Sequence, residues 1–318
     1  MLLSQRGEDV LKALLFAMAL LVPSPSWAVE TDPIAVVSPD IGEPYRGIFT
    51  QIIEGVEDKL GTRVPNHQVR ANTDTGSLKS TLQRQNTKVV IALGRQSMKL
   101  ATALNNDVKV VVGGVLTVPE EEARAQPVMS LSPDPALLFA RMKMLMPALK
   151  RVFVVYDPNI NGWLMKLAKE AALAQGLNLV AHEAHNLRSA VKFYQGIFSV
   201  VNPRTDALWL PQDPTTVEES SVLPLVLQES WDHSLAVFSS NFGHVKRGVL
   251  FSLYPDNFAL GRSLGGLAQG IVATGDYGKR GMIPLRDVLV AVNLRTAQHL
   301  GLNLSRQQKS FNSVFPEP

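Results

Sequence analysis

Gly261-Arg262-Ser263-Leu264-Gly265 has the G-x-S-x-G spacing of a nucleophile elbow, and Asp287 and His299 follow in the serine, acid, histidine order of an α/β-hydrolase. That chemistry needs a strand that ends in a sharp turn and exposes the serine. Here Asn257-Phe258-Ala259-Leu260 continues at helical spacing into Leu264, Leu267 and Ile271, so the glycines Gly261 and Gly265 are expected to permit close helix packing instead. Serine hydrolysis through Ser263 therefore ranks third among the possible functions, and the chain is not expected to be an enzyme. His182-Glu183-Ala184-His185 sets two histidines three apart beside a carboxylate. Such groups bind zinc, but the helical H-E-x-x-H spacing is absent, and the stretch is expected to be a solvated loop after a strand at 177–181. No metal and no cofactor is expected. The absence of cysteine excludes disulfides, thiolate metal sites, a cysteine nucleophile and a lipid-modified N-terminal cysteine.

The remaining polar candidates fall where short apolar runs end, so their meaning depends on the elements that carry them. Runs rich in β-branched residues at 33–38, 88–93, 108–112, 151–156, 177–181, 206–210, 235–238 and 249–251 read as strands. The run at 108–112 is expected to break at Gly113-Gly114. Helical spacing over 45–60, from about 96, and over 135–146, 162–175, 188–200, 215–229 (interrupted at Pro224) and 257–273 alternates with them. Repeated β-α-β order implies parallel strands with right-handed crossovers, and nearly all-apolar strands imply helices on both faces. The fold class is thus α/β, with two doubly wound parallel-sheet lobes.

In open parallel sheets, ligands bind beyond the carboxyl ends of the strands, where loops and helix N-termini offer unpaired N–H groups. Those ends carry Ser38, Gly94 and Arg95 in the first half, and Tyr156, Asn161, Asp213, Ser239 and Ser240 in the second. Each has a plainer reading. Ser38, Asn161 and Ser239 fit helix caps, Asp157-Pro158 and Asp213-Pro214 fit turns, Arg95 fits a surface ion pair and Trp163 fits the core. Taken as a set they outline a small-molecule cleft between two lobes.

Composition agrees with a globular chain: 318 residues, 46% hydrophobic, 19% charged and a net charge of +3. That length suits about two domains. The charges are mixed and form no basic block, so nucleic acid is not an expected partner. Residues 13–22 are an unbroken apolar run preceded by Arg6 and Lys12 and followed by Pro23-Ser24-Pro25 and Ser26-Trp27-Ala28. This reads as a signal peptide over residues 1–28, cleaved near Ala28, with a mature protein free in the periplasm and not a lipoprotein.

Several stretches, in order, resemble the periplasmic substrate-binding proteins of ABC transporters, in the type I family that includes aromatic amino acid binders. They are Leu145-Met146-Pro147-Ala148-Leu149-Lys150-Arg151-Val152, Tyr156-Asp157-Pro158-Asn159, and Ala207-Leu208-Trp209-Leu210-Pro211-Gln212-Asp213. Val237-Phe238-Ser239-Ser240 before Val245-Lys246-Arg247-Gly248, then Tyr254 through Leu260-Gly261-Arg262, continue the series. Val292-Asn293-Leu294-Arg295-Thr296-Ala297 with Leu300-Gly301-Leu302 completes it. The resemblance implies a hinge of three crossovers, a first lobe of 29–128 plus 248–276, and a second of 129–247 plus 277–318. It further implies a monomeric binding protein that closes on a small polar molecule and delivers it to the membrane permease of an ABC importer. A different outcome of the same closure would be signalling to a membrane sensor, a kinase or cyclase. In this setting Asp213 is expected to hold a ligand amine, and Arg95 or the nearby N–H groups a carboxylate. Residues 113–130 depart from the family pattern, with Gly113-Gly114-Val115-Leu116-Thr117-Val118-Pro119 and an acidic run in place of an Asp-Pro loop. The resemblance therefore leaves the ligand open, an amino-acid-like molecule being one option.

Overall fold

The structure is a computed structural model and describes residues 33–43, 45–104, 108–304 and 309–316. The expected signal segment at 1–28 lies outside the described residues. Two sheets form, each covered by helices on both faces. The first holds β1 (Ile34–Pro39), β2 (Asn66–Val69), β3 (Val89–Leu93), β4 (Lys109–Val115), β5 (Pro127–Pro133) and β11 (Gly281–Leu285), in the order β11-β5-β4-β3-β1-β2. The second holds β6 (Arg151–Tyr156), β7 (Asn178–Glu183), β8 (Asp206–Leu210), β9 (Ala236–Ser239), β10 (Phe251–Pro255), β12 (Val288–Asn293) and β13 (Ser313–Phe315), in the order β13-β12-β10-β9-β8-β6-β7. Pairing in the first sheet is parallel throughout. The second departs from the all-parallel expectation at one seam, where β10 and β12 are antiparallel, Phe251 facing Val292.

Helices alternate with the strands: α1 (Tyr45–Leu60), α2 (Thr75–Arg84), α3 (Gly94–Thr102), α4 (Glu120–Ala125) and α5 (Pro135–Leu145), of which α2 and α4 are not among those the sequence predicts. Then come α6 (Pro158–Ala174), α7 (Leu187–Phe198), α8 (Val222–Asp232), α9 (Phe242–Arg247), α10 (Asn257–Thr274) and α11 (Leu294–His299). Most begin at an Asp or Asn whose side chain takes an orphan N–H of the first turn: Asp74, Asp134, Asp157, Asn186, Asn241, Asp256 and Asn293. Pro224 does not interrupt α8 but sits in its first turn, where a missing N–H costs nothing. Likewise Gly113-Gly114 does not end β4. The strand continues to Val115 through a register shift between Val112 and Val115, with Gly114 at φ +68° beneath the Phe49 ring.

Strands buried on both faces give each sheet a double core. Ala35, Val37, Val90 and Val112 pack on one face of the first sheet, and Val36, Ile91, Val111 and Leu264 on the other. In the second sheet Val154, Trp209, Phe238 and Phe251 back onto Phe139 and Met142, while Phe153, Leu208 and Val237 back onto Tyr194 and Val226. The Phe139 ring meets Trp209 edge-on at 5.6 Å, and Phe238 stacks on Phe251 at 5.4 Å.

The chain passes between sheets three times, but not at residues 128, 248 and 276. β5 and β11 both belong to the first sheet and β10 to the second, so the passages are Asp134, Asp256 and Arg286-Asp287. The shift arises because β5 and β11 add to the first sheet and β10 to the second, beyond the bounds that the family resemblance implied. The passages are tied together: Asp134 N–H donates to Leu285 O at 2.8 Å, Asp256 N–H to Asp287 O at 3.0 Å, and Arg286 pairs with Asp134 at 3.0 Å. Asp134 and Asp256 also cap α5 and α10, so each of these passages is clamped to the lobe it enters.

Candidate functional site

The β4–α4 connection stands between two chambers whose walls come from both lobes. One, of about 730 Å³, lies between Thr117, Pro119, Glu120, Arg124 and Met282 of the first lobe and Tyr156, Asn159, Trp163, Lys166, Lys169 and Glu183 of the second. The other, of about 550 Å³, sets Leu116 of the first lobe against Gln212, Asp213, Glu218, Glu219, Asn241 and His244 of the second. The 113–130 stretch that departs from the family pattern is therefore wall material, held down by Ser130 Oγ donating to Leu116 O at 2.6 Å. Of the wall residues, Glu183 entered the sequence reading only as part of a zinc candidate, Trp163 only as core and Leu116 only within the departing loop, and His244 was not singled out at all. No local motif points any of them toward the gap, because the fold alone brings them there.

Most of the sequence-derived candidates are engaged inside their own lobes. Ser38 Oγ donates to Asn66 at 2.8 Å, and Arg95 pairs with Glu122 at 2.7 Å, the plainer reading of that arginine. Asn161 is no cap, since Asp157 caps α6. Its amide donates to Asp213 at 3.0 Å. Asp213 does not present a free carboxylate: it is buried and accepts from Asp157 N, Asn161 Nδ2, Thr215 N and Thr216 N at 2.7–3.0 Å. Ser239 Oγ donates to Leu210 O at 3.1 Å and accepts from Asn241 N, and Ser240 Oγ accepts from Trp209 Nε1. Tyr156 donates to Glu183 at 2.7 Å on the chamber wall. Burial first, then that hydrogen bond and the Glu183 charge, push its phenol up to about 12. Gly94 opens α3 at φ +80°, with the Phe49 ring 3.5 Å from where a Cβ would lie. Just beyond it, Gln96 Nε2 and Ser97 Oγ are buried with no hydrogen-bond partner, as is Trp163 Nε1 in α6.

The chemistry of the zinc and hydrolase readings is not assembled. His182 and Glu183 belong to β7 rather than a loop, with His182 stacked on Phe193 at 4.9 Å and Glu183 taken by Tyr156. Ser263 Oγ donates to Asp287 at 2.6 Å, but His299 lies in the other lobe against Trp231. Gly261 and Gly265 instead face α1, as expected from their helical context.

His244 gives the second chamber a pH response. Burial, reinforced by the Arg247 charge, pushes its imidazole down to about 4, and Nδ1 lies 2.8 Å from Ser239 Oγ. An unfolded histidine titrates near about 6.5. The contribution of His244 is thus complete above about pH 6.5 and lost as pH falls toward 4, by about 3 kcal/mol in all. His182, also lowered by burial, acts in the same direction. Urea unfolding between these pH values is expected to show the decline, and His244→Gln to flatten it. An equal slope in wild type and variant would remove His244 from the account.

Comparison with known proteins decides the family. The family model described as ABC transporter substrate binding protein matches residues 54–308. The chain belongs to that family. Its members bind a small solute outside the cytoplasm for an ABC permease, and the two-lobe fold around a cleft is the architecture such binding needs. The chain is a solute-binding protein. Among solved structures, a ligand-free, open substrate binding protein with adhesive properties from Clostridium difficile is 19% identical, with a TM-score of 0.60 over 89% of this chain and 99% of that one. An ABC domain in complex with L-Trp from Streptococcus pneumonia is 17% identical, with a TM-score of 0.52 over 90% and 100%. A sugar-binding protein of a sugar ABC transporter from Bacillus halodurans is 13% identical, with a TM-score of 0.51 over 85% and 100%. At these identities the likeness speaks for the fold. No curated protein matches the chain. No helix among the described residues is long and apolar enough to cross a membrane.

Proposed function

We propose that this solute-binding protein is exported by its 1–28 segment, works as a monomer in the periplasm, and closes on a small zwitterionic, amino-acid-like molecule for delivery to an ABC permease. One observation carries the reading of closure: both chambers are walled by two lobes between which the described chain passes at Asp134, Asp256 and Arg286-Asp287. A rotation at those passages changes the gap without disturbing either double core. The charge around the gap supports a bipolar ligand. Glu218 and Glu219 rim one chamber, and hydrogen bonds from Ser220 and Ser221 hold Glu218 down to about 2. Arg124, Lys166 and Lys169 line the other, beside Glu120, Glu170 and Glu183.

Direct contacts are assigned to Tyr156 and Trp163 of the second lobe, which line the larger chamber. Gly94 and Arg95, beside the unsatisfied Gln96 and Ser97 of α3, line neither chamber and are assigned a contact only in the closed form. Ser38, Asn161, Asp213, Ser239 and Ser240 hold the loops that present them. The test is a thermal-shift panel of free amino acids and neutral sugars, followed by small-angle scattering with the strongest hit. An amino acid is expected to raise the melting temperature and shrink the radius of gyration. A response to sugars alone would overturn the zwitterion, and binding without compaction would overturn closure.

A further inference from the structure

At the end of the second lobe opposite the cleft lies a separate cavity of about 360 Å³. Its place follows from the topology. Leu235 precedes β9, Gly248 precedes β10, and Asn293 ends β12, which runs against β10, so all three mark the amino edge of the parallel strands. None of its lining residues lines either cleft chamber. The C-terminal stretch Asn293 to Leu300, one of the family-like motifs, therefore serves this pocket rather than the cleft.

The walls are fixed in advance. Asn293 Nδ2 donates to Val245 O at 2.9 Å and Thr296 Oγ to Gly248 O at 2.8 Å, lacing α11 to α9. The Trp231 and His299 rings stack at 3.7 Å and 10°, with His299 Nε2 2.9 Å from Trp231 O. Apolar surface comes from Leu227, Leu235, Val237 and Leu300. The charge is all of one sign: Lys246, Arg247 and Arg295 line the cavity with His299, and no Asp or Glu does. Among the described residues Lys246 and Arg295 have no carboxylate within ion-pair distance. Lys246 lies over the Phe242 and Phe315 rings, and Arg295 lies 5.7 Å from the Trp231 ring. Arg247 has only the exposed Glu219, at 3.9 Å. Local structure accounts for the α9 cations, which sit at the negative end of that helix. It does not account for Arg295, the second residue of α11, where the helix end is positive and a cation is disfavoured.

We propose that this cavity is a second binding site, independent of the cleft, for a small organic anion: one carboxylate or phosphate on a flat apolar body. Arg295 and Lys246, both exposed at the rim of the cavity, meet the anionic group as charge-assisted donors. The body lies on the apolar floor beside the Trp231–His299 stack. A volume of about 360 Å³ suits a single-ring ligand.

The test follows the indole N–H signals by NMR on the whole mature protein, with benzoate as probe, benzamide as its neutral isostere and inorganic phosphate as the bare anion. Trp231→Phe assigns the signal. Benzoate is expected to shift the Trp231 indole saturably and benzamide to leave it unmoved. Arg295→Gln is expected to weaken the benzoate response about tenfold, the usual scale for one charge-assisted bond. Lys246→Gln gives the same reading should the first variant fold poorly. The proposal is overturned by equal responses to benzoate and benzamide, or by a response to phosphate but not benzoate. Unchanged affinity in both variants, or movement of the Trp163 indole in place of Trp231, overturns it as well.

Discussion

Gly261→Val is expected to be the most damaging single substitution in the first lobe, lowering the unfolding free energy by about 4 kcal/mol or more. α1 and α10 cross with their backbones in contact. A Cβ on Gly261 would stand 2.0 Å from Ile52 O and 2.9 Å from the Gly55 Cα, and one on Gly55 would stand 2.0 Å from Phe258 O. The obstacles are main-chain atoms, which cannot rotate aside as a side-chain tip can. The helices would have to separate, withdrawing Ile52, Val56, Leu260 and Leu264 from the face of the sheet they cover. Since α10 starts at the Asp256 passage, the separation would also shift the hinge. Gly270 lies on the same helix with nothing within 4 Å of its Cβ position, so Gly270→Ala should instead raise stability by about 0.5–1 kcal/mol. Urea unfolding of both variants decides the matter, and an unchanged midpoint for Gly261→Val would mean the crossing is not as close as described.

The same crossing shows what the sequence could and could not reveal. The spacing of Leu260, Leu264 and Ile271 was enough to read Gly261-Arg262-Ser263-Leu264-Gly265 as helix, because periodicity is a property of neighbours along the chain. Strands at 151–156 and 206–210 and the helix at 45–60 were legible for the same reason. The lobe passages were not. β5 carries Ser130 and Ser132 among its apolar residues and begins at Pro127, and β11 contains Pro284, so neither reads as a strand until its partner is known. Such strands, β11 at the sheet edge and β5 beside it, draw their stability from pairing, which leaves little trace in local composition. At the strand ends, residue type alone could not say whether a polar group faces the gap or a neighbour. Ser239 illustrates this: its hydroxyl lies at a strand end, yet Leu210 O, Asn241 N and His244 surround it.

Asp213 is where that distinction has the largest measurable consequence. A carboxylate that held a ligand amine would be replaceable with loss of affinity and little loss of stability. In this structure its two oxygens instead close the loop after β8 and tie it to the loop after β6: Oδ1 takes the N–H groups of Thr215 and Thr216, and Oδ2 those of Asp157 and the Asn161 amide. Asp213→Ala strands four donors in a buried position. Unpaired groups cost about 1–3 kcal/mol each, with partial relief from entering water, so a net loss of about 3–5 kcal/mol is expected. Against a typical total of about 5–15 kcal/mol, that leaves the variant marginal. Asp213→Asn keeps one acceptor and turns the other oxygen into a donor facing donors, so it should fall between wild type and alanine. Ligand affinity, measured on the fraction that remains folded, should decline through the displaced Asp157–Asn161 segment and its neighbours Asn159 and Trp163 on the chamber wall. Full stability with abolished binding in Asp213→Asn would return the carboxylate to the role of a direct contact.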